Sequence, residues 1–140
     1  MNHFVLDATV AVAWVAGSPA DRYAIAVQRH VQNGWRAIVP LLWQSEVANG
    51  LLMIERRKAL TAVDTERGLL DFETFLTSRA EVDQTSASMR ELVALARTYQ
   101  LTVYDAVYLE LARGGLPLAT RDKSLRAVTS EAGVKLLELG

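Results

Sequence analysis

Short β-like runs alternate with longer helical patterns along nearly the whole chain, and this alternation is the feature that most restricts the fold. The runs are His3–Leu6, Arg36–Val39, Ala80–Val82, Leu116–Ala119 and Lys135–Leu139. Strands that alternate with helices favour a parallel sheet joined by helical crossovers. We therefore expect an α/β fold with three α/β/α layers around a mainly parallel sheet of about five short strands.

The helical patterns between these runs carry recognisable start and stop signals. They span Ala20–Val31, Leu42–Arg57, Asp64–Leu76, Ser88–Tyr99, Tyr104–Arg113 and Lys123–Ala132. Ser88 and Glu91 have the spacing of a capping box, and the pair Gly114–Gly115 ends the fifth pattern. Because no repeat, low-complexity segment or flexible linker interrupts the series, we expect a single domain over residues 1–140.

Composition excludes several kinds of chemistry. The chain has no cysteine, so disulfides, thiolate metal sites and cysteine nucleophiles are ruled out. The two histidines, His3 and His30, lack ligand spacing to each other, which makes a Ser-His-Asp scheme a poor fit. The two glycine-rich motifs that bind nucleotide phosphates, G-x-x-x-x-G-K-[ST] and G-x-G-x-x-G, are both absent from the sequence. The longest early apolar run, Val10–Ala16, is too short to span a bilayer, and we expect a soluble cytoplasmic protein. The formal charge of −1 neither indicates nor excludes a nucleic-acid partner.

Four carboxylates occupy positions where acids are unexpected in a packed fold. Asp7 and Asp122 follow predicted strands, while Glu46 and Asp105 lie early in helices on largely apolar faces. Ligands of parallel α/β sheets bind beyond the carboxyl ends of the strands, so these acids are candidates for one site. Two carboxylates ~4 Å apart repel by about 4 kcal/mol at an effective dielectric near 20. A divalent cation removes that cost, and oxygen ligands suit Mg²⁺ or Mn²⁺.

Each acid also has a purely structural explanation, and the sequence leaves it open. Asp7 is placed to cap a short helix that begins near Thr9, and Asp122 to cap the next helix. Asp105 is at the third helical position if Thr102 is the N-cap, where the helix dipole favours an acid.

Polar neighbours of the acids are candidates for supporting roles. Thr9 and Thr120 have hydroxyls that suit a carboxylate ligand, and Asn49 lies three residues after Glu46. Arg121 and Lys123 flank Asp122 and are candidates for phosphate contacts. The structural alternatives are turns and caps for the threonines, a satisfied amide for Asn49 and a solvated helix face for the cations.

Four segments together resemble a known family. "FVLDATVAVAW", "WQSEVANGL", "LTVYDAVYLELA" and "LPLATRDKSLRAV" are similar to the four acidic motifs of PIN domains, and more narrowly to VapC-type toxins of toxin–antitoxin pairs. The resemblance implies a PIN-like fold, a Mg²⁺- or Mn²⁺-dependent endoribonuclease, a homodimer and a small VapB-type antitoxin as partner. It implies that RNA phosphodiester bonds are hydrolysed with a carboxylate-bound metal and an activated water.

Carried over residue by residue, the resemblance assigns the metal and the catalysis to the four acids and support to three polar residues. These are Asp7, Glu46, Asp105 and Asp122, with Thr9, Asn49 and Thr120 beside them.

Other functions fit parts of the pattern. A haloacid-dehalogenase-like phosphatase needs a second acid where this chain has Thr9. A receiver domain needs a phospho-accepting Asp after its third strand, where this chain has only Asp83. A non-catalytic metal-binding interaction module and a structure-specific DNA nuclease remain as alternatives.

Overall fold

The computed structural model describes residues 2–18, 21–85 and 87–138. Strands and helices alternate through most of the chain. The strands are β1 (His3–Leu6), β2 (Arg36–Pro40), β3 (Ala80–Asp83) and β4 (Leu118–Ala119). The helices are α1 (Ala8–Ala16), α2 (Arg22–Gln32), α3 (Leu42–Arg56), α4 (Ala62–Ser78), α5 (Met89–Tyr99), α6 (Val103–Ala112) and α7 (Lys123–Val128). The expected α/β class is confirmed.

The strands form one parallel sheet in the order β3-β2-β1-β4. β1 lies inside the sheet, where Val5 is paired with Ile38 on one side and with Leu118 on the other. Successive side chains of a strand point to opposite faces, and Phe4, Val5 and Leu6 are all fully buried. Both faces of the sheet are therefore covered at its centre, as the predicted layering requires.

The predicted fifth strand is reduced to one isolated bridge in the described part of the chain. Leu136 forms an isolated parallel bridge with Leu118, beside β4. The end of the predicted run, Leu139, and the start of the first predicted helical pattern, Ala20, lie outside the described residues. The count of about five strands thus becomes four strands and a bridge, because the segment around Leu136 pairs over too short a length.

Close approach of helices builds the core on one side of the sheet. A Cβ atom on Gly50 of α3 would lie 2.8 Å from a Val12 methyl of α1, and one on Gly68 of α4 would lie 3.0 Å from a Val15 methyl. Hydrogen at these positions lets α3 and α4 pack directly on α1. Trp43 fills the neighbouring space and meets the Phe72 ring edge-on at 5.7 Å. On the other side of the molecule α5 packs on α6, and α6 packs on β1 and β2.

The helix boundaries follow local capping chemistry. Thr61 and Asp64 form a capping box at the start of α4, and Ser88 caps α5. Gln100 adopts the left-handed conformation at the end of α5, with φ of 56°. In the described part of the chain, none of the helices has the length and apolarity needed to span a bilayer.

Candidate active site

Asp7 begins the site, at the carboxyl end of β1. Its side chain is only 3% exposed, and its Oδ2 accepts hydrogen bonds from the Thr120 hydroxyl at 2.6 Å and the Thr9 hydroxyl at 2.7 Å. Asp7 occupies the N-cap position of α1, yet its side chain makes no capping hydrogen bond. The capping explanation for Asp7 is therefore wrong, because the carboxylate is held by the two hydroxyls instead.

Asp122 enters the site from the turn that follows β4. Its Oδ1 accepts a hydrogen bond from Leu125 N at 2.9 Å and so caps α7, as the structural explanation predicts. Its backbone N–H donates to the Thr120 hydroxyl oxygen at 3.0 Å, while the Arg121 N–H donates to the Thr9 hydroxyl oxygen at 3.1 Å. The hydrogen bonds of the two threonines therefore connect the end of β4 to the start of α1. Asp122 caps α7 and lies in the site at the same time.

Asp105 and Glu46 come from helices. Asp105 is the third residue of α6, and its N–H donates to the hydroxyl of the N-cap Thr102 at 3.1 Å. Glu46 is half-buried in α3, where its Oε1 accepts a hydrogen bond from the Tyr108 hydroxyl at 2.5 Å. Tyr108 itself is fully buried. Helix α6 thus supplies one acid of the site and holds another.

The four carboxylates share one electrostatic environment. Burial, then the charges of Asp122 and Asp7, raises the pKa of Asp105 to about 6. Burial also raises the pKa of Asp7, an effect that Thr120 and Thr9 partly offset and Asp122 strengthens. The pKa of Glu46 rises through burial and through the charges of Asp7 and Asp105. The structure therefore brings together the four acids that the sequence singles out.

The donor chemistry of this group fits a divalent cation. The donors are carboxylate oxygens, one of them nearly fully buried, and none of the four acids forms an ion pair within the described residues. Buried negative charge of this kind is stabilised by a cation. No group of three or more His, Cys, Asp or Glu side chains in the described ranges is already arranged to hold an ion. The four acids therefore influence one another electrostatically, but their side chains are not already arranged as a complete set of metal ligands within the described residues.

The remaining predicted residues differ in how firmly they are held. Arg121 places its Nε 2.6 Å from Oδ2 of Asp21, and the other Asp21 oxygen caps α2 at Ala24 N. Lys123 is exposed at the first position of α7. Asn49 is exposed on α3, and none of the described hydrogen bonds joins it to Glu46.

Sequence reasoning missed two side chains that contact predicted site residues. Tyr108 lies three residues after Asp105 in an apolar helix, a position typical of a core aromatic, so the pattern gave no sign of its bond to Glu46. Asp21 carries no motif, and its pairing with Arg121 joins segments that are distant in the chain. The spacing of Tyr108 from Asp105 places both on the same side of a helix, but it does not reveal the bond to Glu46.

Comparison with known proteins identifies the class. A family model described as the PIN domain matches residues 4–131, so the chain belongs to the PIN domain family. PIN domains are generally nucleases that bind divalent metals. A comparison with curated proteins found no match.

Several solved structures are similar in fold, and two serve as examples. The crystal structure of PAE2754 from Pyrobaculum aerophilum has a TM-score of 0.66 at 24% identity, with 90% of this chain and 84% of that one covered. A domain of a functionally unknown protein from Methanocaldococcus jannaschii has a TM-score of 0.55 at 17% identity, with 100% and 94% covered. At these identities the likeness concerns the fold alone.

Proposed function

We propose that the chain is a Mg²⁺-dependent endoribonuclease, with Mn²⁺ as an alternative ion, and the toxin of a type II toxin–antitoxin pair. The observation that carries the nuclease proposal is the shared electrostatic environment of Asp7, Glu46, Asp105 and Asp122. Family membership supports metal-dependent nuclease chemistry. The narrower assignment to RNA and to a toxin is supported by the resemblance of the four acidic segments to VapC-type toxins.

The four carboxylates are the residues that would hold the ion. A divalent ion bound there lowers the pKa of water and stabilises charge on a phosphoryl oxygen. Thr9 and Thr120 both donate a hydrogen bond to Oδ2 of Asp7. Because these bonds fix the orientation of the carboxylate, they also fix the direction of its other oxygen, Oδ1.

Phosphate contacts are proposed for Arg121 and Lys123, beside Asp122. Asp21 contacts the Nε of Arg121 at 2.6 Å, and no hydrogen bond from the terminal guanidinium nitrogens is found in the described part of the chain. A guanidinium that is anchored at one end presents its remaining donors to a phosphate with little loss of conformational freedom. Arg126 is engaged more fully than Arg121, since its Nη1 donates to the Thr120 carbonyl oxygen at 2.7 Å and its guanidinium lies over the Tyr23 ring, 4.8 Å from the ring centroid.

The proposal includes the setting in which the activity operates. We propose a cytoplasmic homodimer over residues 1–140 as one domain, inhibited by a small VapB-type antitoxin. These points are supported by the resemblance to VapC-type toxins.

Cleavage of a mixed RNA panel, transfer RNA included, tests the proposal. Purified, antitoxin-free protein should cut RNA with Mg²⁺ or Mn²⁺ and stop cutting in EDTA. Asp7→Asn should abolish cleavage while the protein remains folded. Asp71→Asn is a matched control, because it makes the same change at an exposed position of α4, and it should cut normally.

The other outcomes separate the alternatives. Metal-dependent stabilisation of a folded protein that cuts no nucleic acid would favour a non-catalytic interaction module. Cleavage of structured DNA without cleavage of RNA would favour a DNA nuclease with the same acids.

A further inference from the structure

The Tyr108 hydroxyl lies where three elements of the acidic site meet. Tyr108 belongs to α6 and is fully buried, and its hydroxyl donates to Glu46 Oε1 of α3 at 2.5 Å, across 62 residues of chain. The backbone N–H of Ala8, at the start of α1, partly offsets the rise in the pKa of this hydroxyl that burial and Glu46 cause. Ala8 directly follows Asp7, and Asp105 is on the same helix as Tyr108.

Packing alone does not account for a tyrosine at this position. Phenylalanine would fill nearly the same space, and a buried hydroxyl is costly unless it is hydrogen-bonded. The hydroxyl occupies one oxygen of Glu46, while the other has no hydrogen-bond donor within the described residues. Glu46 is also close enough to Asp7 and Asp105 to feel their charges.

We propose that Tyr108 is a positioning residue that fixes the Glu46 carboxylate, so that its second oxygen faces the site shared with Asp7 and Asp105. A glutamate side chain has several rotatable bonds, and holding one oxygen removes most of that freedom before a cation arrives. Tyr108 also ties α3 to α6, so the distance between Glu46 and Asp105 is set by this contact. The proposal rests on the proposed function only in taking the acidic site as a cation site.

Binding of Mn²⁺, measured by calorimetry on the full chain without RNA, tests this role. Tyr108→Phe keeps the packing and removes the hydroxyl. We expect the dissociation constant for Mn²⁺ to rise about 10- to 100-fold, as is typical when a group that orients a metal ligand is lost. The melting temperature without metal should change by only a few degrees.

A double-mutant cycle with Glu46→Gln distinguishes positioning from general damage. If Tyr108 acts through Glu46, Tyr108→Phe should weaken Mn²⁺ binding in the unsubstituted protein and have no further effect in the Glu46→Gln background. Unchanged Mn²⁺ affinity in a folded Tyr108→Phe protein would overturn the proposal. Independent, additive losses from the two substitutions would overturn it as well.

A measurement on the unsubstituted protein keeps the proposal testable if the variant is unstable. The buried hydroxyl proton of Tyr108, donated to a carboxylate, should exchange slowly enough for detection by proton NMR. Its resonance should shift on addition of Mg²⁺ and saturate with the calorimetric affinity, whereas a resonance indifferent to Mg²⁺ counts against the proposal.

RNA cleavage is assayed separately, so the two proposals can fail independently. A protein that needs Tyr108 for Mn²⁺ binding and cuts no RNA retains the positioning role and loses the nuclease function. A protein that cuts RNA and binds Mn²⁺ equally well without the hydroxyl retains the nuclease function and loses the positioning role.

Discussion

Asp7 is a nearly buried carboxylate whose direct partners are two threonine hydroxyls. Neutral donors stabilise a carboxylate without cancelling its charge, so Asp7 still repels Asp122. These contacts keep the negative charge of Asp7 in the site and fix the orientation of its carboxylate group. The hydroxyls therefore orient an acid that remains available to a cation.

Thr120→Val tests the importance of these hydroxyls for stability. Valine has nearly the same shape, but the substitution leaves a buried Asp7 oxygen with one donor fewer, and Asp122 N–H loses its acceptor. We expect the free energy of unfolding to fall by about 1–3 kcal/mol. Thr98→Val is the control, because the hydroxyl of exposed Thr98 bonds only to the Ala94 carbonyl oxygen within α5, so its loss should change stability little. Urea unfolding measures both, and equal stabilities would contradict the prediction.

The raised pKa of Asp105 predicts a pH dependence of the metal-free protein. Burial, assisted by Asp122 and Asp7, raises this pKa from 3.8 to about 6. The folded state therefore holds the proton more tightly than the unfolded state, so the contribution of Asp105 to stability falls as the pH rises through this interval. In EDTA, Asp105→Asn should gain stability relative to the unsubstituted protein across the interval and keep that gain above it. Urea unfolding as a function of pH measures the difference, and a constant difference would refute the assignment.

The anchored guanidinium of Arg121 predicts a change in the salt dependence of RNA binding. In the non-cleaving Asp7→Asn background, Arg121→Gln should weaken binding of single-stranded RNA and reduce the slope of log affinity against log salt by about 0.7. Arg113→Gln is the control, since it removes a cation at the far end of α6, about 12 Å along the axis from Asp105. Fluorescence titration at several salt concentrations gives both slopes, and identical slopes would remove Arg121 from the RNA interface.

At the scale of elements, the position of α3 depends on its contact with α1. Gly50 allows that contact, since an added Cβ would lie 2.8 Å from Val12. Glu46 is on the same helix, one turn before Gly50, so a shift of α3 moves an acid of the site. Helix packing and site geometry are therefore coupled through this one glycine.

Gly50→Ala tests the coupling. We expect a loss of about 1–3 kcal/mol in stability through overpacking, together with weaker Mn²⁺ binding. Val12→Ala in the same chain should restore much of both, because it removes the opposing methyl groups. Gly114→Ala is the control: its added Cβ meets only a carbonyl oxygen at 3.6 Å, an ordinary contact. Urea unfolding and Mn²⁺ titration measure the effects, and a Gly50→Ala protein as stable as Gly114→Ala would contradict the prediction.

At the scale of the whole molecule, the parallel sheet collects residues that are remote in the chain. Asp7 and Asp122 follow neighbouring strands β1 and β4, which pair in register at Leu6 and Ala119. The helices α3 and α6 bring Glu46 and Asp105 to the same region. One site is thus assembled from segments that span more than a hundred residues.

The proposed toxin role predicts growth arrest when the chain is produced without the proposed antitoxin. Induced expression of the unsubstituted chain and of Asp71→Asn in a bacterial host should both stop growth, while Asp7→Asn at equal protein level should not. Growth curves with immunoblots measure the effect. Arrest by Asp7→Asn as well would show that toxicity does not depend on the acidic site.

The sequence by itself determined the fold class and the candidate acids. Alternation of strand and helix patterns predicts the parallel sheet, and parallel strands place Asp7 and Asp122 at one edge. These inferences hold because hydrophobic periodicity and strand polarity are local properties of the chain. Local patterns could not predict the order of the strands, the reduction of the fifth strand to a bridge at Leu136 or the length of the apolar helix α1.

Only the tertiary structure decided how the acids are held. The bonds from Thr120 to Asp7 and from Tyr108 to Glu46 join residues far apart in the chain, as does the pairing of Arg121 with Asp21. No local pattern encodes such contacts, because each depends on where two elements meet after packing. Local patterns thus identify the four acids, while their orientation and the raised pKa values of Asp7, Glu46 and Asp105 arise from burial and from neighbours that folding brings together.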